Sequence, residues 1–311
     1  MINFILTRLW QSIVLVFIVT IITFFLINLA PGGPSSMMRM DATEAERQAI
    51  AEQLGLNEPI IVRYGSWVVN AVQGDLGPSL SSGQPVVDRI SERFPYTLQL
   101  TLWTIVLSVI IGILFGILSA RNRNTWKDHS INFTSVIGLS VPSFWLAIML
   151  ILLFSVNLQW LPSSGVGSGS FIEKFKSMIM PVAILSMATL PTIVRFTRSS
   201  MLEVISQNFV RTARAKGLKE RSVIYVHGLR NALIPVVSII GVLIPRLLGG
   251  TVIVESVFGW PGMGRLIVEA SQARDYNLVM GVTVVVTLLV ILSNFVVDII
   301  YSKIDPRVKN M

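Results

Sequence analysis

The stretch LQLTLWTIVLSVIIGILFGILSA, residues 98–120, decides the fold. It carries no charge, and at about 1.5 Å per helical residue it is long enough to cross a hydrocarbon layer of roughly 30 Å. Backbone N–H and C=O groups in lipid must find partners within the segment, so an uncharged run of this length reads as a transmembrane helix. Five further runs have the same character, at residues 9–30, 136–156, 178–194, 233–254 and 277–297. The expected fold class is an all-α integral membrane protein of six transmembrane helices, forming a single membrane domain over residues 1–311. The first run exceeds the apolar core of a typical signal peptide and no small-residue cleavage site follows it, so it reads as an uncleaved span.

Composition agrees with this reading. Hydrophobic residues make up 52% of the chain and charged residues 14%, and the mean hydropathy is positive, unlike a soluble globular domain. The net charge of +8 does not point to nucleic acid, because the basic residues sit in short segments between apolar runs with no interleaved aromatic platform. There is no cysteine, which excludes disulfides and thiolate metal sites, and only His129 and His227 could supply imidazole.

Lys and Arg set the expected orientation, since positive residues near span ends stay in the cytoplasm. Fifteen fall at the N-terminus, between the second and third and the fourth and fifth spans, and at the C-terminus, against nine on the other side. Both termini are therefore expected in the cytoplasm, with a large extracytoplasmic loop over residues 31–95. That loop opens with Pro31, Gly32, Gly33 and Pro34, which end a helix, and then offers amphipathic helices at residues 43–54 and 57–72. In the second of these Ile61, Tyr64, Trp67 and Val68 recur at helical spacing, suited to packing on the spans or to lying at the headgroups.

The basic loop over residues 200–232 is the most informative segment. Ile205, Phe209 and Ala213 form one apolar face, and Arg211, Arg214 and Lys216 gather at the helix end that favours cations. Gly217 can take the left-handed conformation that terminates the helix. Ser222 is a possible cap for a second helix with Val223, Val226, Leu229 and Leu233 on one face. This predicts a cytoplasmic helix-turn-helix whose apolar faces either pack on each other or enter a partner's groove.

The stretches RTARAKG, residues 211–217, and HGLRNA, residues 227–232, resemble the coupling-loop motif of permease subunits of bacterial ABC importers, in the oligopeptide, dipeptide and nickel branch. The general motif opens with Glu-Ala-Ala, has Gly at the turn and Leu-Pro beyond. Ala213, Gly217 and Leu229 match it, whereas Arg211 and Thr212 stand for Glu-Ala and Arg230 for Pro. ESVFGWPGMG at residues 255–264, DPR at 305–307 and the first span ending in Pro31 and Gly32 resemble the same branch. The resemblance assigns Arg211, Thr212, Ala213, Arg214, Gly217, Ser222, His227, Leu229 and Arg230 to ATPase coupling. It also implies a multi-pass protein of the bacterial inner membrane that moves peptides. Its expected partners are the lipid bilayer, a second related permease, two ATP-binding subunits and an extracytoplasmic substrate-binding protein. On that pattern this chain binds no cofactor, and ATP and Mg belong to the partner ATPase subunits. In keeping with this, the chain has no Gly-x-x-x-x-Gly-Lys-Ser/Thr phosphate cradle.

Arg246 lies near the middle of the fifth span, where a central Arg costs roughly 2.5–3.5 kcal/mol on insertion scales and must face protein or water. It is a candidate for the translocation path, a structural ion pair or an interface. Glu255, a second candidate, lies nine residues on and out of phase with it on a continuous helix, so they pair only if Gly249 and Gly250 break that helix. Trp260, Pro261, Gly262 and Gly264 are expected to make an extracytoplasmic turn with an interfacial aromatic anchor. Arg195, Arg198 and Asp298 read as membrane-edge charges, and Pro142, Pro181, Pro191, Pro235 and Pro245 as kinks or helix ends. Two alternatives stand beside the peptide permease: a nickel or metal-chelate permease of the same family, and a stand-alone secondary transporter using Arg246 and Glu255 as a relay. No cluster of acid, base and nucleophile supports an enzyme.

Overall fold

The computed structural model describes residues 2–29, 58–167 and 169–304. The expected helix at residues 43–54, the turn at Pro31 to Pro34 and the tail at Asp305 to Arg307 lie outside them. The described chain is helical, with an isolated antiparallel bridge between Pro78 and Pro85. In order the helices are α1 (Ile2–Leu29), α2 (Ile60–Val72), α3 (Val86–Arg121), α4 (Trp126–Ser140), α5 (Ser143–Leu150), α6 (Phe171–Ile205), α7 (Asn208–Ala215), α8 (Leu229–Val257), α9 (Met263–Gln272) and α10 (Tyr276–Ile304). A wider, π-helical stretch extends α5 over Ile151–Asn157. A single turn at Glu220–Ser222 leads into another π-helical stretch, Val223–Gly228, that runs into α8.

Among the described residues five helices are long and apolar enough to cross a membrane: Leu6–Leu29, Val86–Arg121, Phe171–Ile205, Val223–Val257 and Tyr276–Val297. The run at 136–156 is not one straight span. It divides between α4 and α5, bent by 97°, and makes a sixth crossing only as a broken pair. The cause is local. Val141 precedes Pro142 and is held extended at φ −90° and ψ 126°, because the proline ring crowds an α conformation at the residue before it. Pro181 and Pro191 instead sit inside α6 without ending it, and Pro235 and Pro245 likewise lie inside α8.

The chain groups into two compact units, one drawn from Met1–Tyr96 and Gly262–Ile291, the other from Thr97–Pro261 and Leu292–Met311. In the first, Phe24, Tyr64 and Met280 form one cluster, and the Thr20 and Tyr64 hydroxyls are hydrogen-bonded at 2.9 Å. Tyr64 is buried with Trp67 and Val68 packed beside it. Ile61, at the edge of that face, does not join them and is 74% exposed. A second cluster joins Leu76, Val86 and Ile90 to Met263, Leu266 and Leu278. Asp275 stitches it together: buried, it accepts hydrogen bonds from the Ser79 hydroxyl, the Ser81 N–H at 3.1 Å, the Ser81 hydroxyl at 2.8 Å and the Leu278 N–H at 3.1 Å. Burial pushes the Asp275 carboxyl up, but the donors from Ser79 and Ser81 outweigh it and hold it below the usual carboxylate range.

In the second unit α3 and α6 lie against each other where side chains are smallest. A Cβ at Gly112 would come within 2.6 Å of Ile193, and one at Gly116 within 2.4 Å of Thr197, so the four-residue glycine spacing sets the close approach. Ile193, Val236 and Leu243 extend this contact to α8.

Candidate functional site: the basic loop and the helix beyond it

The loop after α6 hangs on a cluster of Ile117, Ala120, Met201, Val204, Val210, Ala213, Val223, Ile224 and Ala232. Val210 and Ala213 are the buried face of α7. Phe209, expected on that face with Ile205 and Ala213, is 39% exposed, because α7 is a new helix begun at Asn208 and does not continue the phase of α6. Gly217 has φ 75°. Its N–H bonds the Arg214 carbonyl at 2.9 Å and the Leu218 N–H bonds the Ala213 carbonyl at 3.4 Å, a Schellman cap that satisfies the end of α7.

The second helix departs from the expected one. Ser222 makes no side-chain cap, since it comes after Lys219 and Glu220 within a turn already begun. The wider π turn then shifts the phase, so that Val223 and Ile224 are buried while Val226 is 60% exposed. Leu229 packs at the edge of the cluster, and the side chain of His227 lies outside the described residues. Arg211, Thr212, Arg214 and Arg230 are exposed. Arg214 reaches across the turn to Glu220, donating at 2.7 and 3.2 Å, and this hydrogen bond holds the Glu220 carboxyl below its ordinary range. The result is an inner face closed by the chain, with Phe209, Leu218, Tyr225 and Val226 each left exposed among exposed cations.

Sequence reasoning missed the residue that ties this loop's parent helix to the broken span. Arg198 is not a free edge charge. It donates through two nitrogens, both at 2.7 Å, to Asp128 at the start of α4, and Asp128 is 2% exposed. Ser119, the Asn124 N–H and Asn132 complete the donors around that carboxylate. Bidentate pairing of this kind fixes geometry as well as charge. The partners are 70 residues apart, so no local pattern announces them.

Along α8 the two charged candidates separate. The helix runs unbroken through Gly249 and Gly250, so Arg246 and Glu255 stay on different faces. Glu255 is fully buried and accepts a hydrogen bond of 2.7 Å from Thr97. Arg246 is exposed, and no hydrogen bond or ion pair reaches it among the described residues.

The turn after α8 is not an interfacial anchor on the Trp side. Trp260 is 0% exposed, because a second Schellman cap folds it inward: Gly259 has φ 58°, the Gly259 N–H bonds the Ser256 carbonyl and the Trp260 N–H bonds the Glu255 carbonyl at 2.8 Å. The Gly165 N–H also caps the Phe258 carbonyl at 2.8 Å. Pro261 belongs to the same unit. Gly262 precedes α9 in the other unit, and Gly264 is buried within that helix.

Residues 112–310 match the family described as binding-protein-dependent transport system inner membrane component, and residues 1–101 match that family's N-terminal component. The chain belongs to that family. It is a permease subunit of an ABC importer, and a stand-alone transporter is not favoured. The chain is 42% identical to the oligopeptide transport system permease protein AppB of Bacillus subtilis (strain 168), over 98% of this chain and 99% of that protein. It is 40% identical to the glutathione transport system permease protein GsiC of Escherichia coli (strain K12), over 99% of each. Among solved structures, the fold resembles a chain of the MetNI methionine ABC transporter in an inward-facing conformation, with a TM-score of 0.57 and 21% identity, covering 70% of this chain and 96% of that one.

Proposed function

We propose that this permease forms half of the translocation path of a bacterial ATP-driven peptide importer in the inner membrane, with both termini in the cytoplasm. The peptide substrate rests on relatives named for oligopeptide and glutathione transport. A second related permease supplies the other half of the path, two ATP-binding subunits hold ATP and Mg, and an extracytoplasmic protein delivers the peptide.

The observation that carries the coupling role is the unfinished outer face of the basic loop. Phe209, Leu218, Tyr225 and Val226 leave apolar surface open beside exposed Arg211, Lys216 and Lys219, and such a patch on a short helix pair suits a partner's groove. Closure of the ATP-binding subunits would push on α7. The push passes to α6, which ends three residues before α7, and through Arg198 and Asp128 to the broken span. Discrete rearrangement of packed helices is the kind of two-state motion that opens and closes a path. Arg246 faces that path in this reading, and the turn at Trp260 to Gly264 belongs to the side where the binding protein docks.

The test is co-purification followed by reconstitution. Tagged chain brings down a second permease and ATP-binding subunits, and vesicles holding the complex take up peptide only with ATP. Uptake by the chain alone, independent of ATP, contradicts the proposal.

A further inference from the structure

The outward stripe of α8 is unlike the outward face of a lipid-bound helix. On α1 every exposed position from Ile13 onward, Ile18, Ile22 and Leu26 among them, is large and apolar. On α8 the exposed stripe over the outer half reads Val242, Arg246, Gly249, Gly250, Ile253 and Ser256, which recur within one side of a 3.6-residue helix. Arg246 is roughly 17 Å below the end of α8 at Val257 by helical rise, within the hydrocarbon depth. An Arg at that depth is costly against lipid and faces protein, water or a counter-charge.

The glycine pair adds an independent observation. A glycine inside a helix costs about 1 kcal/mol against alanine, and the usual return is a close approach of another part of the protein. Here a Cβ on Gly249 or Gly250 would meet nothing within 4 Å. The space beside them is left open by this chain. It lies one turn from a cation whose planar fork of N–H donors matches a carboxylate in two-pronged fashion.

We propose that Arg246 binds the C-terminal carboxylate of the peptide in transit, with the notch at Gly249 and Gly250 taking its last residue. The inference rests on the peptide-importer reading above and adds a chemical selection to it, for peptides with a free C-terminus. A charge fixed on the second permease is the competing occupant, and it predicts a different response to substitution.

The test uses the complete transporter in vesicles and one peptide in two forms, free acid and C-terminal amide, each at matched occupancy of the binding protein. Uptake by Arg246→Gln is divided by wild-type uptake for each form, which cancels the binding protein's own preference. Uptake of the acid is expected to fall about tenfold or more and that of the amide less than about twofold, with Arg246→Lys in between. Gly250→Leu fills the notch without touching the charge and lowers both forms together. Equal ratios for acid and amide in Arg246→Gln overturn the proposal, as does loss of the second permease from the purified Arg246→Gln complex, which assigns the residue to a subunit contact. If the wild-type complex moves neither form, the peptide reading itself fails and the proposal falls with it.

Discussion

Gly217 and Gly259 end their helices by the same device. Each sits at positive φ, and in each case the next residue's N–H reaches back five residues to a carbonyl. The side chains just beyond the two glycines have opposite fates. After Gly259 comes Trp260, fully buried; after Gly217 comes Leu218, 42% exposed, with Tyr225 and Val226 open beyond it. One cap is finished by the chain itself and the other leaves its apolar surface unsatisfied. Local backbone chemistry is therefore silent about role, and burial of the neighbouring side chain separates a structural turn from a docking turn.

Substitutions can break or sharpen this contrast. The largest effect is expected at the closed cap: Trp260→Ala removes a fully buried indole and is expected to cost about 3–5 kcal/mol, seen as a fall in melting temperature of the purified protein. At the open cap, Gly217→Val places a branched residue at φ 75°, a strain of about 1–2 kcal/mol, with nothing nearby for the side chain to strike. Assembly and melting should change modestly while ATP-driven uptake is lost; an intact uptake rate there would remove Gly217 from the coupling turn. Smaller still in stability is Val226→Ser, within about 0.5 kcal/mol as for an exposed position, yet it should weaken retention of the ATP-binding subunits on a column. The least effect belongs to the exposed pair of Arg214 and Glu220, about 0–1 kcal/mol. The Glu220 carboxyl is lower when folded, so the pair's contribution is complete above the ordinary glutamate range and is lost as pH falls through the lowered value. The gap in melting temperature between wild type and Glu220→Gln should thus be flat around neutral pH and close in acid.

The spans were legible because lipid demands a continuous apolar run, and residues 98–120 satisfy that demand on inspection. The break in the third run was half legible: Pro142 was visible, but five prolines looked alike, and α6 carries Pro181 and Pro191 without ending. In the basic loop the glycine turn could be read, since left-handed backbone has few tenants. The faces could not, because a restart at Asn208 and a π turn at Val223–Gly228 each shift the register by part of a turn, turning Phe209 and Val226 outward. Trp260 misled because an aromatic beside a span end is commonly an interfacial anchor, and only the folded cap shows it turned inward. Arg198 looks like an edge charge in the sequence because its partner, Asp128, lies on another helix.

The central claim, that the outer face of the basic loop meets an ATP-binding subunit, has a direct measurement. The chain contains no cysteine, so Val226→Cys creates its single thiol on the most exposed apolar position of that face. In the assembled complex a short bifunctional thiol cross-linker should join this position to an ATP-binding subunit, while Leu158→Cys, exposed beyond the broken span, should give no such product. Cross-linking of Leu158→Cys but not of Val226→Cys to that subunit would contradict the account.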